Sequence, residues 1–287
     1  MSIPALRVEH SHNSIRIFRG TDMEPILVQQ AQVDQRPFIH PILAPDGKGV
    51  LTENTPSHHP WQHGLYVGLN DVNGIGFWEE GLRNKPEDGS FHPQPLKPAT
   101  VSSHRASWEV ETYWRDPQGI LMIKELQQWS LHDRGSTFEI DLQWSLRAEV
   151  DLLFGQKTYG GLFLRMPYRD EWGGKAFNSE GLVNNDAEGE RARWMACYMP
   201  IEGRPDQAGC AILDHPNNPE HPVPWRVDRT LGISPSRCIA GSWTLPQGET
   251  QINQYRIVVF TGAIAPSAVD VSWQQFASSD SPHPNRN

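Results

Sequence analysis

Between Thr137 and Arg147, the apolar residues Phe138, Ile140, Leu142, Trp144 and Leu146 fall on every second position, with polar residues between them. Successive side chains of an extended chain point to opposite faces, so this pattern specifies a strand with one face buried and the other in water. A helix cannot gather five side chains at period two onto one face. Trp108, Val110, Thr112 and Trp114 repeat the alternation against Glu109, Glu111 and Tyr113. Asp116-Pro117-Gln118-Gly119 reads as a turn, and Ile120 to Leu131 returns as a partner. Residues 108–147 are therefore expected to form a three-stranded antiparallel meander. Further strands are expected over Ser14–Phe18, Gly64–Leu69, Gly209–Leu213 and Gln251–Phe260. The last ends in a continuous apolar run, as a strand covered on both faces does.

Helical signals are few. Ala265-Pro266-Ser267 precedes Val269, Trp273 and Phe276 at four- and three-residue spacings, which predicts one short amphipathic helix with Pro near its start. Gly and Pro, at 24 each, supply many turns, and the Pro-rich interval Lys85–Pro98 reads as a loop between strands. With no repeat and no Ser/Gly linker, the expected fold class is all-β. The architecture is a large antiparallel two-sheet β-sandwich, a single domain over 1–277 with a short C-terminal helix, followed by a disordered tail over 278–287.

Charge and composition exclude several functions. Lys and Arg number 25 against 34 Asp and Glu, a formal charge of −9, so no basic stripe is offered to nucleic acid. No cationic cluster could anchor the chain to an anionic membrane, and no apolar run approaches the roughly 18 residues of a spanning helix. His10, His12, Asn13 and Arg16 stand where a secretory apolar segment would lie. The three cysteines, Cys197, Cys210 and Cys238, lack CxxC spacing. These features point to a cytoplasmic setting; the oligomeric state is left open.

The chemistry concentrates in Gln35–Glu79, where His40, His58, His59 and His63 are flanked by prolines that fix the backbone. Asp71, Asn73 and Trp78 follow in the same segment. Imidazole both gives and takes protons near neutral pH, and stiff loops beside aromatic rings suit a site for a polar small molecule. Two later segments look placed to return to the same face. Tyr159 leads through glycines to Arg165, an anchor for substrate or else half of a buried salt bridge, and Glu180 sits in an Asn-Ser-Glu-Gly loop. His215 opens a Pro-stiffened loop that leads to Trp225. Trp108, Trp114, Trp129 and Trp144 have core spacing, whereas Trp61, Trp78 and Trp225 lie in the histidine-bearing loops and suit the C–H face of a sugar ring.

In order, RPFIHP, PSHHPWQHGL, DVNGIGFW, TYGGLFLR, FNSEG, HPNNPEHPVPW and YRIVVFTG resemble the bacterial "PmoA-like" domain of unknown function over roughly residues 35–262. The resemblance implies a galactose-mutarotase-like supersandwich, an architecture used by sugar epimerases, lyases and hydrolase domains. Where relatives carry His-His-Arg-Gly, this chain has Trp61-Gln62-His63-Gly64, so the arginine's cationic contact is not carried over.

The expected function is a carbohydrate-active enzyme doing acid–base chemistry on a sugar or keto-sugar, as epimerase, lyase or hydrolase. His58 or His63 would be the acid, Glu180 or Asp71 the opposing base, and Arg165 would orient or neutralise the substrate. Arg36, His40, His59, Asn73, Trp78, Tyr159, His215 and Trp225 complete the expected substrate contacts. Two alternatives stand beside it. One is a non-catalytic carbohydrate-binding or accessory protein. The other is an enzyme holding a divalent metal on His40, His58, His59 or His63, although Pro60 denies His59 and His63 the helix that would align them. No other cofactor is required.

Overall fold

A computed structural model describes residues 3–80 and 87–279. Among these residues the chain forms two large antiparallel sheets. The first has eight strands, in the order Leu6–His10, Ser14–Arg19, Leu27–Gln30, Phe38–Ile42, Leu65–Gly68, Gly161–Leu164, Ile233–Pro235 and Trp225–Val227. The second runs Lys175–Asn178, Trp194–Pro200, Gln207–Asp214, Thr250–Thr261, Thr137–Ala148, Leu121–Asp133, Arg105–Arg115 and Ser90–Pro93, with Thr100–Ser102 beside Arg105–Arg115. Leu152–Phe154 and Trp243–Leu245 make a separate two-stranded sheet.

The meander forms as its alternation requires. Ala106, Trp108, Val110 and Trp114 bury their side chains with Phe138, Ile140, Leu142, Trp144 and Leu146, and a continuous apolar core draws on both large sheets. A register shift between Trp114 and Arg115 lets Met122 and Ile123 both be buried. Indole N–H groups inside a core need acceptors. Trp114 and Trp144 donate to the fully buried carboxylate of Glu125 at 3.0 and 2.7 Å, Trp129 to Gln127, and Trp108 to Gln29. Burial pushes the Glu125 carboxyl up, against the pull of these hydrogen bonds.

Thr250–Thr261 lies between Gln207–Asp214 and Thr137–Ala148, and it is covered on both sides. Ile257 and Val259 face the main core. Val258 and Phe260 pack under Val269 and Phe276 of the helix Pro266–Ala277. The expected C-terminal helix is thus present, and its apolar stripe supplies the second cover. A four-residue helix, Arg237–Ala240, and a 3-10 turn, Asn184–Ala187, are additions that no sequence period announced. Within the expected Lys85–Pro98 loop, Ser90–Pro93 is instead a strand, paired along Thr112 to Arg115 at the sheet edge, where the missing proline N–H is tolerated. Of the expected tail, Ser278 and Ser279 close the helix by bonding back to Gln274 and Phe276, and 280–287 lie outside the described residues. Among the described residues no helix is long and apolar enough to cross a membrane.

Candidate active site

Alternation in two short strands of the first sheet builds the floor of the site. Leu65, Val67, Leu162 and Leu164 point into the main core, so Tyr66 and Phe163 must point outward. There they meet Phe38, Trp61 and Trp78 in a separate aromatic cluster, with Tyr159 packed against it. The Tyr66 and Phe163 ring centroids are 5.4 Å apart, and Trp78 lies 5.0 Å from Tyr159.

Two buried arginines lie within this layer. One nitrogen of Arg36, Nη2, donates to the carbonyls of Trp61 at 2.7 Å and Trp78 at 2.9 Å, and to Glu80 Oε2 at 3.3 Å. The Arg36 main-chain N–H donates to the other Glu80 oxygen at 2.7 Å, and the guanidinium sits 4.2 Å from the Tyr66 ring. A single cation therefore pins both tryptophan-bearing turns. Burial pushes the Glu80 carboxyl up, but the Arg36 charge and the His63 hydrogen bond outweigh it and hold Glu80 below its ordinary value. Arg165, also fully buried, donates to Gln62 Oε1 at 2.7 Å, to Thr230 Oγ1 at 2.6 Å and to Asp228. Burial opposes ionisation of Asp228, and the Arg165 charge overcomes it to keep that carboxyl below the usual range.

Above this layer opens a cavity of about 810 Å³. Its walls come from Glu53, from Pro56–His59 with Trp61 and Gln62, from Trp78 and Glu79, from Tyr159 and Phe163, from Tyr168–Glu171, and from Arg226 and Asp228–Thr230. Five carboxylates (Glu53, Glu79, Asp170, Glu171 and Asp228) share it with three arginines. Arg169 is paired with Glu53 at 2.8 Å and Arg226 with Glu188.

The expected site residues divide sharply. His58, His59, Trp78 and Tyr159 line the cavity, as does Trp61. His58 is exposed and edge-on to His59, their centroids 4.9 Å apart. His63 is not in the cavity wall. It is buried against Phe38, with Nε2 2.7 Å from Glu80 and Nδ1 2.8 Å from Asn54 Oδ1. His40 is half-buried and bonded through Nδ1 to Thr52 at 2.9 Å; burial, with the nearby His63, holds its pKa below the ordinary value. Arg36 and Arg165 lie behind the lining as buried ion pairs, because a guanidinium so far from water must take its partners from the protein.

The remaining residues lie elsewhere. Asp71 accepts the Gly74 N–H and pairs with Lys157, and Asn73 bridges to Asp151 and Leu153, so both shape a turn. Glu180 is exposed beside Ser179, outside the cavity. His215 is buried edge-on to Phe276 under the C-terminal helix, with burial depressing its pKa. Trp225 is fully buried and donates to Ala192 O at 2.9 Å. The expected meeting of histidines from separate turns does not occur: only the neighbours His58 and His59 share the cavity. Among the described residues no group of three or more His, Cys, Asp or Glu is placed to hold a metal, so His40, His58, His59 and His63 do not form one ligand set.

Sequence reasoning passed over Tyr168–Glu171 and Arg226–Thr230. The first is a charged stretch ahead of Gly173-Gly174, and the second a short Asp-Arg-Thr turn. Both carry turn residues, yet nothing in their spacing ties them to residues 56–62.

Fold and site together define an all-β, two-sheet sandwich protein with a lateral, aromatic-floored, ionisable cavity. Residues 26–274 match the model of a family of unknown function, DUF6807, and the chain belongs to that family. The match supplies this name and not the PmoA-like one. No curated protein matches the sequence. Among solved structures, the chain is similar to a galactose mutarotase related enzyme from Lactobacillus acidophilus, at 9% identity and a TM-score of 0.38, over 88% of this chain and 97% of that one. It is also similar to a GH36 alpha-galactosidase from Geobacillus stearothermophilus, at 10% identity and a TM-score of 0.40, over 89% of this chain and 40% of that longer one. At these scores the chain's own strand pairing, and not the neighbours, defines the fold.

Proposed function

We propose that this chain is a carbohydrate-active enzyme that transfers protons on a neutral sugar bound in the cavity. The observation that carries the reading is that the exposed His58 imidazole, five carboxylates and an aromatic wall share one concave space. Aromatic faces complement the C–H face of a pyranose, while carboxylates and arginines complement its hydroxyls. The excess of carboxylates over arginines in the lining disfavours a polyanionic substrate. His58 is the acid–base group in this reading, and the opposing role passes from Glu180 and Asp71 to the cavity carboxylates Glu79, Asp170 and Glu171. Proton transfer of this kind is shared by sugar epimerases, lyases and hydrolases.

A second reading, a carbohydrate-binding protein without turnover, is favoured by one observation. His58 makes no hydrogen bond among the described residues, whereas a catalytic imidazole is ordinarily oriented by a third group. A thermal-shift screen of sugars and 3-keto-sugars tests both, since a ligand that binds only the native state raises the melting temperature. With a stabilising sugar in hand, His58→Gln is expected to lower its turnover by about 10²- to 10⁴-fold while binding persists. Turnover unchanged in that variant refutes the role of His58; stabilisation without any turnover in the parent protein selects the second reading. If no sugar raises the melting temperature, the carbohydrate assignment fails.

A further inference from the structure

The chain has eleven tryptophans. Ten are buried or half-buried, and Trp172 alone is exposed, at 45%. Its indole makes no hydrogen bond and no ring contact among the described residues. Apolar side chains exposed singly are common on protein surfaces, so what distinguishes Trp172 is where it stands in the chain and the turn that carries it. Trp172 directly follows Tyr168, Arg169, Asp170 and Glu171, all of which line the cavity, and it is exposed one residue beyond that lining in the chain.

The turn that carries it is held firmly. The main-chain N–H groups of Trp172 and Gly173 both donate to Arg169 O, at 3.1 and 3.0 Å, and Gly173 takes the positive φ of 66° that closes the turn. Arg169 is itself tied to Glu53 at 2.8 Å, across the cavity wall. An indole displayed on an anchored turn loses little freedom on binding, which favours its use as a platform.

We propose that Trp172 forms an outer subsite that stacks on a second sugar ring, so that the cavity takes a disaccharide or longer glycoside rather than a free monosaccharide. The occupant follows from the chemistry of the turn. A flat apolar face stands beside two carboxylates, Asp170 and Glu171, and a pyranose joined to one already in the cavity offers both a C–H face and a ring of hydroxyls. The inference rests on the carbohydrate reading above and deepens it by fixing the length of the substrate.

The test uses the full chain with glucose and galactose against maltose, cellobiose, lactose and melibiose. Affinity is read by calorimetry and the accessibility of Trp172 by acrylamide quenching. For the sugar pair that binds, Trp172→Ala is expected to lower the disaccharide-to-monosaccharide affinity ratio about 2- to 10-fold, with Trp172→Phe restoring most of it. The disaccharide, and not the monosaccharide, is expected to shield the quenchable indole. An unchanged ratio in Trp172→Ala with binding retained overturns the subsite and leaves the carbohydrate reading standing. An indole already shielded without sugar, and freed on dilution, overturns it in favour of a contact with a second copy of the chain. If none of the six sugars binds, the subsite falls; the carbohydrate reading falls with it when the wider screen with 3-keto-sugars also gives no stabilisation.

Discussion

His63 Nε2 lies 2.7 Å from Glu80 Oε2, the same oxygen that Arg36 Nη2 approaches at 3.3 Å while also binding the carbonyls of Trp61 and Trp78. The three side chains form a clasp behind the aromatic wall, so His63 serves the cavity without entering it.

Removing the carboxylate should open the clasp. Glu80→Ala leaves the fully buried Arg36 without its counter-ion, and breaking such a pair typically costs about 3–5 kcal/mol. Urea denaturation followed by tryptophan fluorescence should show that loss. A midpoint unchanged from the parent protein would falsify the clasp.

Gly68 packs directly against the same guanidinium. A Cβ there would collide with Arg36 Nη1 and come within 3.3 Å of Trp78, both of them buried side chains. Gly68→Ala is expected to destabilise by about 1–3 kcal/mol, as overpacking does. It should also red-shift the tryptophan emission as the wall loosens. Stability equal to that of the parent would show that Arg36 is free to move.

The pH dependence has a definite sign. Burial holds the pKa values of His40 and His215 below the ordinary 6.5, so the unfolded chain binds protons there that the folded chain does not. Stability is then complete above 6.5 and falls as pH drops below it toward the depressed folded values. Glu80 and Asp228, held below their ordinary values of 4.5 and 3.8, add stability above those values that is lost as pH falls through their lower folded ones. Urea midpoints measured from about pH 7.5 to pH 5 should decline, and His40→Gln should flatten the decline. A profile that rises toward acid contradicts the assignment.

Asp228 couples the second buried arginine to the opposite wall. Its carboxylate meets Arg165, the Thr230 hydroxyl at 3.0 Å and the Gly232 N–H at 2.8 Å. Asp228→Asn keeps the shape but removes the charge facing Arg165. It is expected to weaken both stability and the affinity for any cavity ligand, by about 1–3 kcal/mol in stability. A variant as stable as the parent would mean that Thr230 and Gln62 hold Arg165 unaided.

What the sequence determined by itself was local and periodic. Alternation over Trp108–Trp114 and Thr137–Arg147 placed strands, their inward faces and the tryptophan core, because a strand's side-chain direction follows from its own backbone. The spacing of Val269, Trp273 and Phe276 likewise gave the C-terminal helix and its buried stripe. The cavity was legible at His58, His59, Trp61 and Trp78, which one segment carries, and at Tyr159 from a second. Only the tertiary structure decided that Tyr168–Glu171 and Arg226–Thr230 join that segment, and that His40, His63, Arg36 and Arg165 stand behind the wall instead of in it. Strand order sets which distant loops meet, and burial sets whether a polar side chain faces a ligand or a protein partner; neither is encoded in the spacing of neighbouring residues.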